Sequence, residues 1–416
     1  MKTLPSSRLS GLTAALSLLL LFSSACDKEK DAEPAPQPEA KENSFNFRFD
    51  PHPEGTEEFE LIVSQKDGKV LIDTLIAARV HHELKVKSND TKLNITTMYV
   101  EPIRQRTEIR TYVQVNPDNW HIDERVEESA KNEPEQSYVN YSNVPPYTNT
   151  EIIFSGKQTG GWGAEYNGNS RILRVQYNRR FPTDLTYLLL PELGKYIYAE
   201  VTSPETDIDF SGAATAAKHV YNKPAGVKNA YSEVYGYTNA GEYSKWTMLY
   251  YGNGAHDYDL LFPPVGMEEF QTTYRYTDAE GYSHLYRNFG TSIPADMGFL
   301  AESGFTVTRN EFGNFQIMFG EDKPSAYKIL GYSQSLNTVW HIMLSPEETA
   351  FKAKSFLEGL GAETLKGKDL STFSLVQLST LNAKGYTHQT MHDYLNNPEA
   401  YRKRELKQYR EISKYF

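Results

Sequence analysis

The chain holds a single cysteine, Cys26, among 416 residues. A lone cysteine cannot staple a chain to itself, so the fold must rest on buried apolar surface alone. The length suits two or three domains. The 29 Tyr and 20 Phe, with many Thr and Val, favour β structure, because aromatic and β-branched side chains pack well on a pleated surface. A formal net charge of -11 argues against a nucleic-acid partner. Phosphate binding calls for a basic face, and no basic stretch precedes the last twenty residues.

The position of Cys26 gives it a role. Lys2 and Arg8 form a positive start, and the apolar run 11–22 (GLTAALSLLLLF) follows. That run has the length of a signal-peptide core and is too short to span a bilayer comfortably. No later stretch approaches spanning length. The small residues Ser23-Ser24-Ala25 then lead directly into Cys26. This pattern resembles the lipobox of bacterial lipoproteins, with Ser23 where the usual pattern has Leu. The acidic run Asp27 to Asp31 is similar to the export signal of surface-exposed lipoproteins of Bacteroidota. The resemblance implies removal of residues 1–25, acylation of Cys26 with palmitate-type chains, and anchoring in the outer membrane facing outward. It covers only these residues and implies nothing about the body. Pro34, Pro36 and Pro38 alternate with small and polar residues, which favours an extended spacer. Residues 26–43 therefore read as a lipidated tether.

The body reads as mainly β. Over 44–122, Phe45, Phe47 and Phe49 alternate in the first of six short strands at regular spacing, and Asp67-Gly68 sits between apolar runs as a hairpin turn. The pattern predicts a small immunoglobulin-like β-sandwich. The polar stretch 123–136 reads as a linker. Residues 137–344 predict a larger antiparallel β domain, a sandwich or a barrel, with a short helical candidate at 213–221. Within it, 235–245 and 274–284 share six of eleven positions, too few copies for a propeller. Over 345–416 the pattern turns helical. Ser345-Pro346-Glu347-Glu348 reads as a capped helix start with Gly361 at its end. Further helices are predicted over 374–383, over 388–395, and from Asn397-Pro398 onward, the last with Leu406, Tyr409 and Ile412 on its inner face.

No nucleophile elbow, P-loop or dinucleotide fingerprint occurs, no catalytic residue stands out, and no cofactor is implied. His388 and His392 are spaced i, i+4 as a weak metal pair. His81-His82 should point to opposite faces of a strand. Asp207 and Asp209, and Asp257 and Asp259, alternate as glycosidase carboxylates can, and Asn253 with the latter pair offers oxygen ligands to calcium. Gly160-Gly161-Trp162-Gly163 leaves Trp162 little cover. With Tyr166 and Asn167 it is the candidate ligand-binding set, since an exposed ring can stack on a sugar face. Arg402, Lys403, Arg404, Lys407, Arg410 and Lys414 make a basic end that can meet acidic groups. The sequence thus points to a lipid-anchored envelope protein that binds a glycan, a peptide or a partner envelope protein. An envelope hydrolase and a structural subunit of an outer-membrane assembly are the alternatives.

Overall fold

Alternation decides the first strand. Phe45, Phe47 and Phe49 are buried while Asn46 is exposed, as a period of two requires. The computed structural model describes residues 40–51, 57–122, 133–147, 151–253, 260–300, 304–320 and 323–416, without the side chains of Trp162 and Asn253. The expected signal peptide, Cys26, most of the tether, most of the linker, and Asp257 with Asp259 lie outside the described residues. From Ala40 onward the chain forms one compact unit. It is 55% strand and 9% helix, so the mainly β expectation holds.

The first seven strands are β1 (Lys41–Phe49), β2 (Glu58–Ser64), β3 (Val70–Ala77), β4 (His81–Ser88), β5 (Leu93–Glu101), β6 (Arg106–Val115) and β7 (Trp120–Ile122). One layer has the order β4-β1-β7, and the facing strands run β6-β5-β2-β3. The aromatic residues of β1 pack between them against Phe59, Leu61, Ile95 and Trp120. The β2–β3 turn is the Asp67-Gly68 hairpin, with Gly68 at φ +90, a conformation that glycine adopts freely. β1 starts at Lys41, inside the stretch read as tether.

Next come β8 (Glu135–Ser142), β9 (Ile153–Gly156), β10 (Thr159–Asn167), β11 (Ile172–Arg179), β12 (Asp184–Leu190), β13 (Lys195–Val201), β14 (Glu205–Asp209) and β15 (Ala214–Thr215). They form an eight-stranded sheet in the order β14-β8-β11-β10-β9-β12-β13-β15. The short strand β16 (Ala217–His219) follows and, with β15, replaces the helix expected over 213–221. The remaining elements are β17 (Lys228–Tyr237), β18 (Thr247–Asn253), β19 (Leu260–Phe262), β20 (Glu269–Thr277), β21 (Ser283–Gly290), β22 (Phe305–Glu311), β23 (Asn314–Phe319), β24 (Ala326–Ser333), β25 (Thr338–Leu344), β26 (Ala350–Phe351), α1 (Ala353–Gly359), β27 (Ser374–Asn382), α2 (His388–Leu395), α3 (Pro398–Arg402) and β28 (Gln408–Tyr415).

A twelve-stranded sheet organises the molecule, in the order β18-β17-β20-β21-β28-β27-β24-β25-β6-β5-β2-β3, and curls into a half-barrel. All its neighbours are antiparallel except β25 and β6. It draws strands from 44–122, 137–344 and 345–416, so the expected segment boundaries do not interrupt it. The two similar segments at 235–245 and 274–284 begin in β17 and β20, which are adjacent strands of this one sheet. The 345–416 region is mixed rather than helical. Two stretches expected to be helices are β27 and β28, which pair with each other in the middle of the sheet. Ser345-Pro346-Glu347-Glu348 makes a turn, closed by Glu348 N donating to Ser345 O at 2.9 Å. β26 then adds to β23 before α1 begins. The helix expected at 388–395 is present, and the one expected from Asn397 forms only over Pro398–Arg402, with side-chain caps from Thr387 and Asn397.

Candidate functional site

Over β21, β28, β24 and β25, one face of the twelve-stranded sheet is core and the other carries charged side chains. On β24, β25 and β28, Ile329, Trp340, Ile342 and Ile412 are buried in the largest apolar cluster. Their alternate neighbours point the opposite way. Register places Arg287 opposite Tyr409, Lys328 opposite Met343, and His341 opposite Arg110 with Met343 opposite Tyr112. These side chains line a cavity of about 500 Å³, within the range typical of small-ligand sites. Helices α2 and α3 and the turn after them cover it with Tyr394, Asn396, Tyr401 and Arg404.

The covering helices are held by polar contacts to the sandwich. His388 Nε2 donates to Val113 O at 3.1 Å, Tyr112 Oη donates to Asn396 Oδ1 at 3.0 Å, and Trp120 Nε1 donates to Asp393 Oδ1 at 2.8 Å. Arg404 owes its placement to the end of α3. It stands just beyond the C-cap Lys403 at φ +52, the left-handed conformation common one residue past a helix end. Its guanidinium lies 4.8 Å from the Tyr401 ring centroid and 5.4 Å from that of Phe289, in the range of cation–π attraction.

The lining is strongly cationic. Arg110, Arg287, Lys328 and Arg404 face it, and Glu411 is the one carboxylate among the lining residues. Among the described residues, Arg404 Nε is buried without a hydrogen-bond partner. His341 registers the local field. Burial first, then Arg110, Lys328 and Arg106, push its pKa down to about 3, so it is neutral at ordinary pH. His392 lies on the cavity wall, 3% exposed, and both its ring nitrogens lack partners among the described residues. Burial and the neighbouring His388 hold its pKa well below the usual histidine value. In a protein of net charge -11, this is a concentrated positive field inside a low-dielectric recess, the arrangement that draws in anions.

The residues singled out in the sequence are placed differently. The His388 and His392 rings meet edge-on at 4.5 Å. His388 Nε2 is committed to Val113, and no group of three or more His, Cys, Asp or Glu side chains suited to a metal exists among the described residues. Asn167 accepts from the backbone N–H groups of Asn169 and Ser170, both at 3.1 Å, and closes the β10–β11 turn. Tyr166 packs on Tyr147 with ring centroids 4.7 Å apart and donates to Pro145 O at 3.3 Å. The Trp162 side chain lies outside the described residues. Its backbone falls in a bulge between Gly161 and Gly163. At Gly161 a Cβ would stand 3.0 Å from Phe154 Cδ1, so packing against Phe154 accounts for that glycine. Asp207 accepts from Asn140 at 2.9 Å, and Asp209 accepts from Asn143 at 3.0 Å and from Ser211 N at 2.9 Å. His81 and His82 diverge, with His82 donating to Ala77 O at 2.6 Å and His81 packing on His121. Of the basic residues near the C-terminus, Arg404 reaches the cavity.

No protein-family model matches the chain, and no curated protein sequence matches it.

Proposed function

We propose that the protein is a lipid-anchored module of the cell envelope whose cavity binds an organic anion, an acid-bearing sugar above all. The observation that carries this reading is the set Arg110, Arg287, Lys328 and Arg404 around one 500 Å³ cavity that contains a single carboxylate, Glu411. Guanidinium groups recognise carboxylates and sulfates with paired N–H donors. The tyrosines of the same walls offer ring faces to the C–H bonds of a pyranose. A glycosidase needs two facing carboxylates, and this lining supplies one, which favours binding over hydrolysis. The anchor reading rests on Cys26 and the apolar segment before it. It places the body at the outer membrane, facing outward, where acidic glycans and partner envelope proteins are met.

Two measurements test this. Lys328→Gln and Arg404→Gly each remove one positive charge, the second at a position whose backbone conformation suits glycine. Each should weaken binding of galacturonic acid by about tenfold, the loss of one charge-assisted contact. Affinity unchanged in both variants would place the ligand elsewhere. Separately, Cys26→Ala should move the protein out of the membrane fraction, and its retention there would refute the anchor.

A further inference from the structure

The charged face does not stop at the cavity. Arg287, which lines it, donates from Nε to Thr273 Oγ1 on β20 at 3.4 Å. Thr273 stands opposite Glu233 on β17, and Glu233 stands opposite Tyr251 on β18. This cross-strand row leads from the cavity towards the β18 edge of the sheet. Around it four aromatic side chains gather in pairs. Tyr231 packs on Tyr251 with ring centroids 5.1 Å apart, and Tyr235 packs on Trp246 at 5.3 Å. Glu233 joins the pairs, one oxygen accepting from Tyr231 at 2.8 Å and from Tyr235 at 3.3 Å. Tyr251 is 44% exposed, and Arg275, opposite Tyr231, is exposed as well.

We infer that this shelf continues the cavity as one extended site, and that it takes the further units of an acidic oligosaccharide whose terminal unit enters the cavity. The inference rests on the reading of the cavity as an anion site. Two strand steps separate Arg287 from Glu233, on the order of 10 Å at the usual spacing between strands, so a chain of a few linked sugars reaches both. Tyrosine and tryptophan faces stack on sugar rings, and Arg275 supplies a cation for a second acid group. The contacts lie on the sheet face and come from side chains. Those suit a saccharide, whereas a peptide that extends the sheet draws on the backbone of an edge strand.

Calorimetric titration of the full-length chain in detergent with galacturonic acid, its dimer and its tetramer tests the inference. The tetramer should bind about tenfold or more tighter than the monomer, as linked contacts do. Tyr251→Ala and Arg275→Gln, both at exposed positions, should each remove most of that gain and leave monomer affinity unchanged. Monomer binding with no gain for the tetramer would overturn the shelf while leaving the cavity reading intact. Failure of every acidic sugar to bind would overturn both. A gain with an oligoglutamate peptide and none with the oligosaccharides would overturn the saccharide assignment in favour of an acidic peptide.

Discussion

Trp120 Nε1 donates a 2.8 Å hydrogen bond to Asp393 Oδ1, joining residues 273 apart in the chain. The same oxygen accepts from Gln389 at 2.7 Å. Gln389 in turn holds Asn116, donating to its carbonyl at 2.8 Å and accepting from its N–H at 2.9 Å. This network seats α2 on the sandwich and fixes the cover of the cavity.

Asp393→Ala should therefore destabilise the protein by about 1–3 kcal/mol, the cost of leaving a buried donor unpaired. Asp393→Asn keeps an acceptor oxygen and should lose less. Denaturant midpoints of the two variants against the parent check the order, and amide exchange over α2 should accelerate more in the alanine variant.

Stability should fall on acidification. His392 and His388 have pKa values held below the ordinary histidine range, chiefly by burial. His284 and His341 are lowered by burial too. Each takes up its proton less readily in the folded chain than in the unfolded chain, which does so below about pH 6.5. Unfolding then binds protons, so stability is full above about pH 6.5 and declines below it, by at most about 1.4 kcal/mol per pH unit for each group. His392→Phe removes one such group without removing a hydrogen bond and should flatten the acid slope. An unchanged slope would contradict the assignment.

Glu60 is a buried carboxylate that accepts from Glu363 N at 2.7 Å and from Thr364 N at 2.9 Å. It ties β2 to the turn after α1. Glu60→Ala should cost about 1–3 kcal/mol for each backbone donor that loses its acceptor and stays buried. Thermal unfolding checks this, and a change inside half a kilocalorie, about the size of ordinary surface substitutions, would show that water replaces the carboxylate.

Binding of an acidic sugar should weaken as salt rises from about 0.01 M to about 0.15 M, where the screening length shortens from about 30 Å to about 8 Å. A neutral sugar bound only by ring stacking should be insensitive to the same change. Affinity measured at both salt levels separates the two behaviours.

The strands of the sandwich were legible because their signals are local. The Phe45, Phe47 and Phe49 alternation and the Asp67-Gly68 turn need no knowledge of the rest of the chain. The C-terminal strand was not legible. Leu406, Tyr409 and Ile412 recur at helical spacing, yet Gln408–Tyr415 fills the slot between β21 and β27. Tertiary pairing there outweighs local periodicity. The cavity was hidden for a related reason. Arg110, Arg287, Lys328 and Arg404 sit on β6, β21, β24 and the turn after α3, with no shared motif, and only sheet order and the docking of α2 and α3 bring them together. The aromatic shelf left a partial trace in the Tyr-rich segment at 235–245, which shares six of eleven positions with 274–284. The exposed-ring argument led instead to Trp162, Tyr166 and Asn167. Asn167 belongs to a turn and Tyr166 packs on Tyr147.

Whether the cavity selects negative charge is decided by a paired calorimetric titration with galacturonic acid and galactose in the same low-salt buffer. The acid should bind saturably and at least about tenfold tighter than the neutral sugar, as expected for one well-placed charge-assisted contact. Equal affinity for the two sugars, or tighter binding of galactose, would contradict it.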